Sequence, residues 1–127
     1  MNLESIYSED IIWAVVGDIL NTEKYAYKIL KNFENKGYNV VGVTPYDKID
    51  GEIKELKDID LNIEGVNLCV SPSKGYENLF NDTKHKIKYV IAQPGARSEK
   101  IKELCKDRGI EYIEICTLAT LTKKNRI

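Results

Sequence analysis

The sequence predicts an α/β protein, doubly wound in three layers around a mainly parallel five-stranded sheet. Two observations carry this expectation. Five short runs rich in Val and Ile recur along the 127 residues: Ile11 to Val16, Asn39 to Thr44, Val66 to Val70, Tyr89 to Ala92 and Glu111 to Ile115. Most are unbroken, as strands covered on both faces are. Stretches of helical spacing lie between them, and strands alternating with helices give parallel pairs through right-handed crossovers. A hydrophobic content of 43% is enough for one core at this length. One Rossmann-like domain is therefore expected over 1–127, with 1–10 as an N-terminal extension and 122–127 as a polar tail.

Each element has its own signal. Residues 1–10 are expected to form a short helix lying against the sheet. The first strand runs into a glycine and then a helix in "WAVVGDILNTEKYAYKIL", where Ala26, Ile29, Leu30 and Phe33 share one face. Asn21 or Thr22 can cap that helix and Gly37 ends it. After the second strand, Ile53, Leu56 and Ile59 either line a short helix or pin a loop. Ser73 is the expected cap of the next helix, whose apolar face is Tyr76, Leu79 and Phe80. His85 stands alone in the charged turn "NDTKHKIKY" and is expected at the solvated surface. The last helix carries Ile101, Leu104 and Cys105, is capped by Ser98 and stops at Gly109. The tail "TKKNRI" is polar enough to fray.

Composition excludes several classes. Basic and acidic residues number 19 and 20, a net charge of -1, unlike the basic face of a nucleic-acid binder. The longest apolar run is too short to cross a bilayer and the acidic N-terminus has no signal region, so a cytoplasmic protein is expected. Three cysteines, Cys69, Cys105 and Cys116, lack CxxC spacing and indicate neither a disulfide framework nor a zinc cluster. Cys69 and Cys105 are expected in the core.

The three prolines mark a place. Pro45, Pro72 and Pro94 each follow a predicted strand, as Gly17 follows the first. In a parallel sheet those ends share the carboxyl edge, where doubly wound folds bind ligands. Gly17 either lets a diphosphate approach backbone N–H groups at a helix start or makes an ordinary tight turn. GxGxxG is absent, and Thr44 and Pro45 stand where an NAD-binding domain carries an acidic residue for the ribose, so NAD is not the first choice. A receiver domain would need an aspartate where Ser71 and Pro72 stand. The GxxxxGK(S/T) of a P-loop is missing.

Two segments carry a resemblance. "AVVGDILNTEKYAYKILKNFENKGYNVVGVTP" and "QPGARSEKIKELCKDRGIEYIEIC" resemble the two halves of the small CoA-binding domain proteins, over roughly residues 11 to 121. Those proteins are similar to the N-terminal, CoA-binding domain of the succinyl-CoA synthetase α subunit. That enzyme's active-site histidine and nucleotide-hydrolysing parts lie on other domains. The resemblance therefore implies binding of CoA, an acyl-CoA or a related adenine nucleotide without that catalysis.

It also implies site residues. Gly17, Asp18 and Ile19 fall on the first phosphate-side turn, with Asn21 and Tyr25 following. Asp18 and Ile19 depart from the small or serine residues common there, and a carboxylate repels a diphosphate unless it points away. Thr44, Pro45 and Lys48 fall on the loop after strand two, where Lys48 either meets a phosphate or is solvated. Ser71, Pro72 and Ser73 match the loop that closes over the adenine or pantetheine side. Gln93, Pro94 and Gly95 match a "Q.G" turn, in which the glutamine bonds a pantetheine amide or ties its own loop. Cys116 matches the family cysteine, either a buried structural thiol or a partner for a mixed disulfide.

Three functions stay open at this point. The first is a non-catalytic CoA- or nucleotide-binding module that takes a small-molecule ligand and no nucleic acid or membrane, with a homodimer left open. The second is a subunit of a CoA- or NAD-using enzyme that needs a partner chain. The third is a protein-interaction scaffold with a degenerate pocket.

Overall fold

The computed structural model describes residues 6–7, 10–46 and 52–120. Five strands, β1 (Ile12–Gly17), β2 (Asn39–Val43), β3 (Ile63–Cys69), β4 (Tyr89–Ala92) and β5 (Glu111–Glu114), form one sheet in the order β2-β1-β3-β4-β5. Every neighbouring pair is parallel. Helix α1 (Tyr25–Asn35) joins β1 to β2, α2 (Pro72–Asn81) joins β3 to β4, and α3 (Glu99–Asp107) joins β4 to β5. A helical turn, α4 (Thr117–Thr120), follows β5. The fold is the doubly wound, Rossmann-like α/β architecture that the alternating pattern predicts.

Pleating divides the core in two. Ala14 and Val16 point to a layer with Leu68, Val90, Leu79 and Ile101, under α2 and α3. Trp13 and Val15 point to the other layer with Ile29, Phe33, Ile91 and Ile113, under α1. Ile6 and Tyr7 are helical and buried in this second layer, which places that part of the N-terminal extension against the sheet. Trp13 packs its ring at 5.5 Å from Phe33 and 6.4 Å from Tyr89. It lies flat over Gly65, its partner in register, where a Cβ would meet ring atoms at 2.5 to 2.7 Å. The glycine is the space that the indole occupies.

Between β2 and β3 the described residues include a 3₁₀ turn, Leu56–Asp58, with Leu56 and Ile59 buried and Ile53 packed against the same layer. Asn78 on α2 accepts the Leu56 N–H at 3.0 Å and holds the turn down. Gly37 and Gly109 adopt φ of 90° and 70° just after α1 and α3, the left-handed stops expected of them. Ser98 caps α3 by accepting from Lys100 and Ile101.

Several expectations are corrected. Helix α1 starts at Tyr25, with Lys24 at the cap position and no side-chain cap. Asn21 instead accepts the Glu23 N–H at 3.1 Å, because a short polar side chain there favours a local turn over helix initiation. Ser71 rather than Ser73 holds the cap position of α2, since Pro72 fits the first helical turn. β3 begins at Ile63, earlier than Val66. Phe80 is exposed despite its helical spacing.

His85 is the largest departure from expectation. Its side chain is only 2% exposed. Nδ1 lies 2.9 Å from an Asp82 carboxylate oxygen and Nε2 lies 2.9 Å from the Ile59 carbonyl. Asp82 also accepts the N–H groups of Lys84 and His85. With both nitrogens and the carboxylate satisfied, the imidazole can be buried at little cost, and the pair ties the turn before β4 to the 3₁₀ turn.

Candidate functional site

The chain leaves β1 toward β2 on one side and leaves β3 toward β4 on the other, so the order reverses between β1 and β3. The loops beyond their carboxyl ends must part there, and that crevice is where doubly wound sheets take ligands. A cavity of about 560 Å³ opens at this point, within the size range of small-molecule sites.

The turn after β1 contributes Asp18. The start of α1 contributes Lys24, Tyr25 and Ala26, and the loop after β2 contributes Tyr46. Cys69, Val70 and Ser71 come from the end of β3. Gln93, Pro94 and Gly95 come from the turn after β4, and Cys116 from the turn after β5. Gly95 has a φ of 92°, a conformation that costs a glycine little.

Beneath the cavity lies a buried polar network. Gln93 Nε2 donates to Asn67 Oδ1 at 2.9 Å and to Thr117 Oγ1 at 2.7 Å, while its Oε1 accepts the Thr117 N–H at 2.9 Å. Asn67 Nδ2 also donates to Thr117 Oγ1, at 2.6 Å. Both amide hydrogens of Gln93 are therefore engaged within the protein. Of its two expected roles, the structure shows the tie: Gln93 fastens the β4 turn to β3 and α4. Cys69 Sγ donates to Asn67 Oδ1 at 3.5 Å. Burial, with a further push from the charge of Cys116, raises the Cys69 thiol to about 12, so it is protonated at neutral pH. Cys69 packs against the core layer under α1, as expected, but is half-buried and lines the cavity as well. Cys105 is in the core.

Of the residues that the resemblance implies, Asp18, Tyr25, Ser71, Gln93, Pro94, Gly95 and Cys116 come together around the cavity. The others stand elsewhere. Gly17 is buried at the end of β1, where a Cβ would lie 2.6 Å from that of Ala26 and 2.8 Å from the Cys69 carbonyl oxygen. Its missing side chain lets α1 sit against the strand ends. The Ile19 side chain is in the core, and Asn21 is exposed in its turn. Thr44 is buried with its N–H bonded to the Ile53 carbonyl and its hydroxyl unpartnered. Pro45 adjoins Tyr46. Pro72 and Ser73 are exposed at the start of α2. Lys48 lies outside the described residues.

Lys24, Ala26, Tyr46, Cys69 and Val70 also line the cavity without having been marked as site residues in the sequence. Cys69 and Val70 had a signal in their position at the end of a strand on the same rim. Tyr46 had one in its neighbour Pro45. Lys24 had none, because it reaches the site only through the late start of α1.

A second cavity, of about 410 Å³, is lined in part by Asp82, His85, Lys86 and Arg108. His85 and Asp82 have the spacing of an acid and a base, but Nε2 is spent on the Ile59 carbonyl, so the imidazole faces no substrate. Among the described residues, no group of His, Cys, Asp and Glu could hold a metal ion, and no helix is long and apolar enough to cross a membrane.

An all-parallel doubly wound sheet with a cavity at its switch point defines a small-molecule-binding α/β domain. Residues 12–122 match the family model described as CoA binding domain, and the chain belongs to that family. No curated protein matches it. Among solved structures it is similar to a conserved hypothetical protein from Pyrococcus furiosus, at 29% identity and a TM-score of 0.72 over 87% of this chain and 98% of that one. A hypothetical protein from Pyrococcus horikoshii shares 24% identity at a TM-score of 0.79, over 91% of this chain and 84% of that one. An acetyl-coenzyme A synthetase from Ca. Korarchaeum cryptofilum, in complex with phosphate and ADP, shares the fold at 19% identity and a TM-score of 0.67. This chain covers 26% of that enzyme, which covers 87% of this chain in return.

Proposed function

We propose that this chain is a CoA-binding module that holds CoA or an acyl-CoA in the cavity at the carboxyl edge of the sheet and performs no catalysis by itself. The observation that carries this reading is the position of the cavity: it lies at the β1/β3 switch point of a CoA binding domain family member. The nearby groups suit such a ligand. Ala26, Cys69, Val70 and Cys116 give a small-residue, weakly polar channel for a pantetheine arm, and Lys24 and Tyr25 give a cationic and aromatic lip. CoA is favoured over NAD because Thr44 and Pro45 follow β2 in place of a carboxylate that would bind the ribose.

Thermal melts with CoA, acetyl-CoA, NAD and ATP test the reading. At a hundredfold excess over its dissociation constant, a true ligand stabilises the folded chain by about 2.7 kcal/mol. CoA and acetyl-CoA are expected to raise Tm and NAD to leave it unchanged. If no CoA species raises it, the reading falls and the interaction-scaffold alternative takes its place.

A further inference from the structure

The second cavity lies at the opposite edge of the sheet from the first, where α2 and α3 end and the chain enters β4 and β5. Its volume of about 410 Å³ is within the range of small-molecule sites. Leu79, Ile87 and Ile110 give it an apolar wall that packs on the core layer under α2 and α3.

Exposure sorts the polar lining into two sets. Asp82 and His85 are turned on each other, with side chains only 1% and 2% exposed. Asp82 Oδ1 also accepts the N–H groups of Lys84 and His85, and His85 Nε2 meets the Ile59 carbonyl. The one carboxylate among the lining residues is therefore shielded from the cavity. Thr83, Lys86 and Arg108 are exposed. Among the described ion pairs none engages Lys86 or Arg108. Arg108 gives both Nη1 hydrogens and one on Nη2 to the carbonyls of Leu79, Asp82 and Phe80. Of its five N–H groups, that leaves those on Nε and Nη2, neighbouring nitrogens of the kind that grips a carboxylate by two parallel bonds.

Two cations and a hydroxyl thus border an apolar wall with no accessible carboxylate between them. This lining repels a cation and offers a bare inorganic anion nothing for its apolar side. The geometry points to a binding site for a small amphipathic carboxylate, its head on Arg108 and Lys86 and its short hydrocarbon body against Leu79, Ile87 and Ile110. The site is separate from the CoA cavity, and the inference does not rest on the CoA reading.

Titration of the intact chain with hexanoate, followed through its backbone amide NMR signals, tests the inference. The amides of Thr83, Lys86 and Ile110 are expected to move along one saturating curve. Hexanol, which keeps the chain without the charge, and acetate, which keeps the charge without the chain, should each bind about tenfold more weakly or worse. Lys86→Met is a surface change whose folding a melting curve checks; it should weaken hexanoate about tenfold and leave hexanol unaltered. Unmoved amides at this cavity, hexanol or acetate bound as tightly as hexanoate, or full hexanoate affinity in Lys86→Met would each overturn the inference.

Discussion

Gly17 has no side chain for a reason of packing that precedes any ligand: Ala26 and the Cys69 carbonyl occupy the space where a Cβ would stand. A lone glycine after a strand therefore had two meanings in the sequence, phosphate approach and helix approach, and spacing could not separate them. Asp18, next to it, lines the cavity half-buried. A carboxylate about 6 Å from a diphosphate at an effective dielectric near 20 repels it by a few kcal/mol. With the diphosphate at the turn after β1, where the resemblance implies it, Asp18→Ser is expected to tighten CoA roughly tenfold or more in a calorimetric titration. Unchanged or weaker binding would place the diphosphate away from this turn. The sequence singled out Asp18 and Gln93, which both line the cavity, yet it could not show that Gln93 is committed to Asn67 and Thr117. That commitment depends on three segments meeting, and none of them neighbours another in the chain.

Helix ends were legible where a residue's conformation decides them and illegible where side chains from elsewhere do. Gly37, Ser98 and Gly109 announced their roles through φ and capping chemistry. The end of α2 is different, because it is closed by a residue from α3's own terminus. Arg108 donates from Nη1 to the carbonyls of Leu79 at 2.6 Å and Asp82 at 3.2 Å, and from Nη2 to that of Phe80 at 3.0 Å. One guanidinium thus serves three carbonyls at the end of α2, where helix carbonyls run out of intrahelical donors; that of Leu79 also accepts the Asp82 N–H. Arg108→Met is expected to cost about 1–3 kcal/mol of unfolding free energy, measured by urea denaturation, with CoA affinity unaltered because the contact is remote from the cavity. A loss within error would show that water replaces the arginine there. His85 belongs to the same lesson. Its charged sequence neighbours suggested the surface, but the acceptor from Ile59 that permits its burial comes from the 3₁₀ turn.

At the scale of the molecule, the five strands and their parallel pairing were readable because two-sided burial leaves unbroken apolar runs. The strand order was not, since it depends on which way each crossover turns. Burial of thiols also sets a response to alkali. Cys69 rises from 9.0 to about 12 and Cys105 from 9.0 to about 11, both through burial. Below pH about 9 these thiols keep their protons in both states and their contribution is complete. Above that value the unfolded chain releases protons that the folded one retains, so stability falls as pH rises toward about 11 and about 12. The urea midpoint is expected to drop between pH about 8.5 and about 10.5, and to drop less in Cys69→Ser. Equal drops would mean that the Cys69 thiol titrates as it does in water.

The network beneath the cavity has a consequence for selectivity. Gln93 has spent both amide hydrogens on Asn67 and Thr117, and its amide oxygen on the Thr117 N–H, so its side chain is not free to inspect whatever lies above it. On the proposed reading, the site recognises the handle of its ligand at the lip and is indifferent to the cargo at the floor. Such a protein would respond to the total pool of CoA thioesters and say nothing of which acyl group each carries.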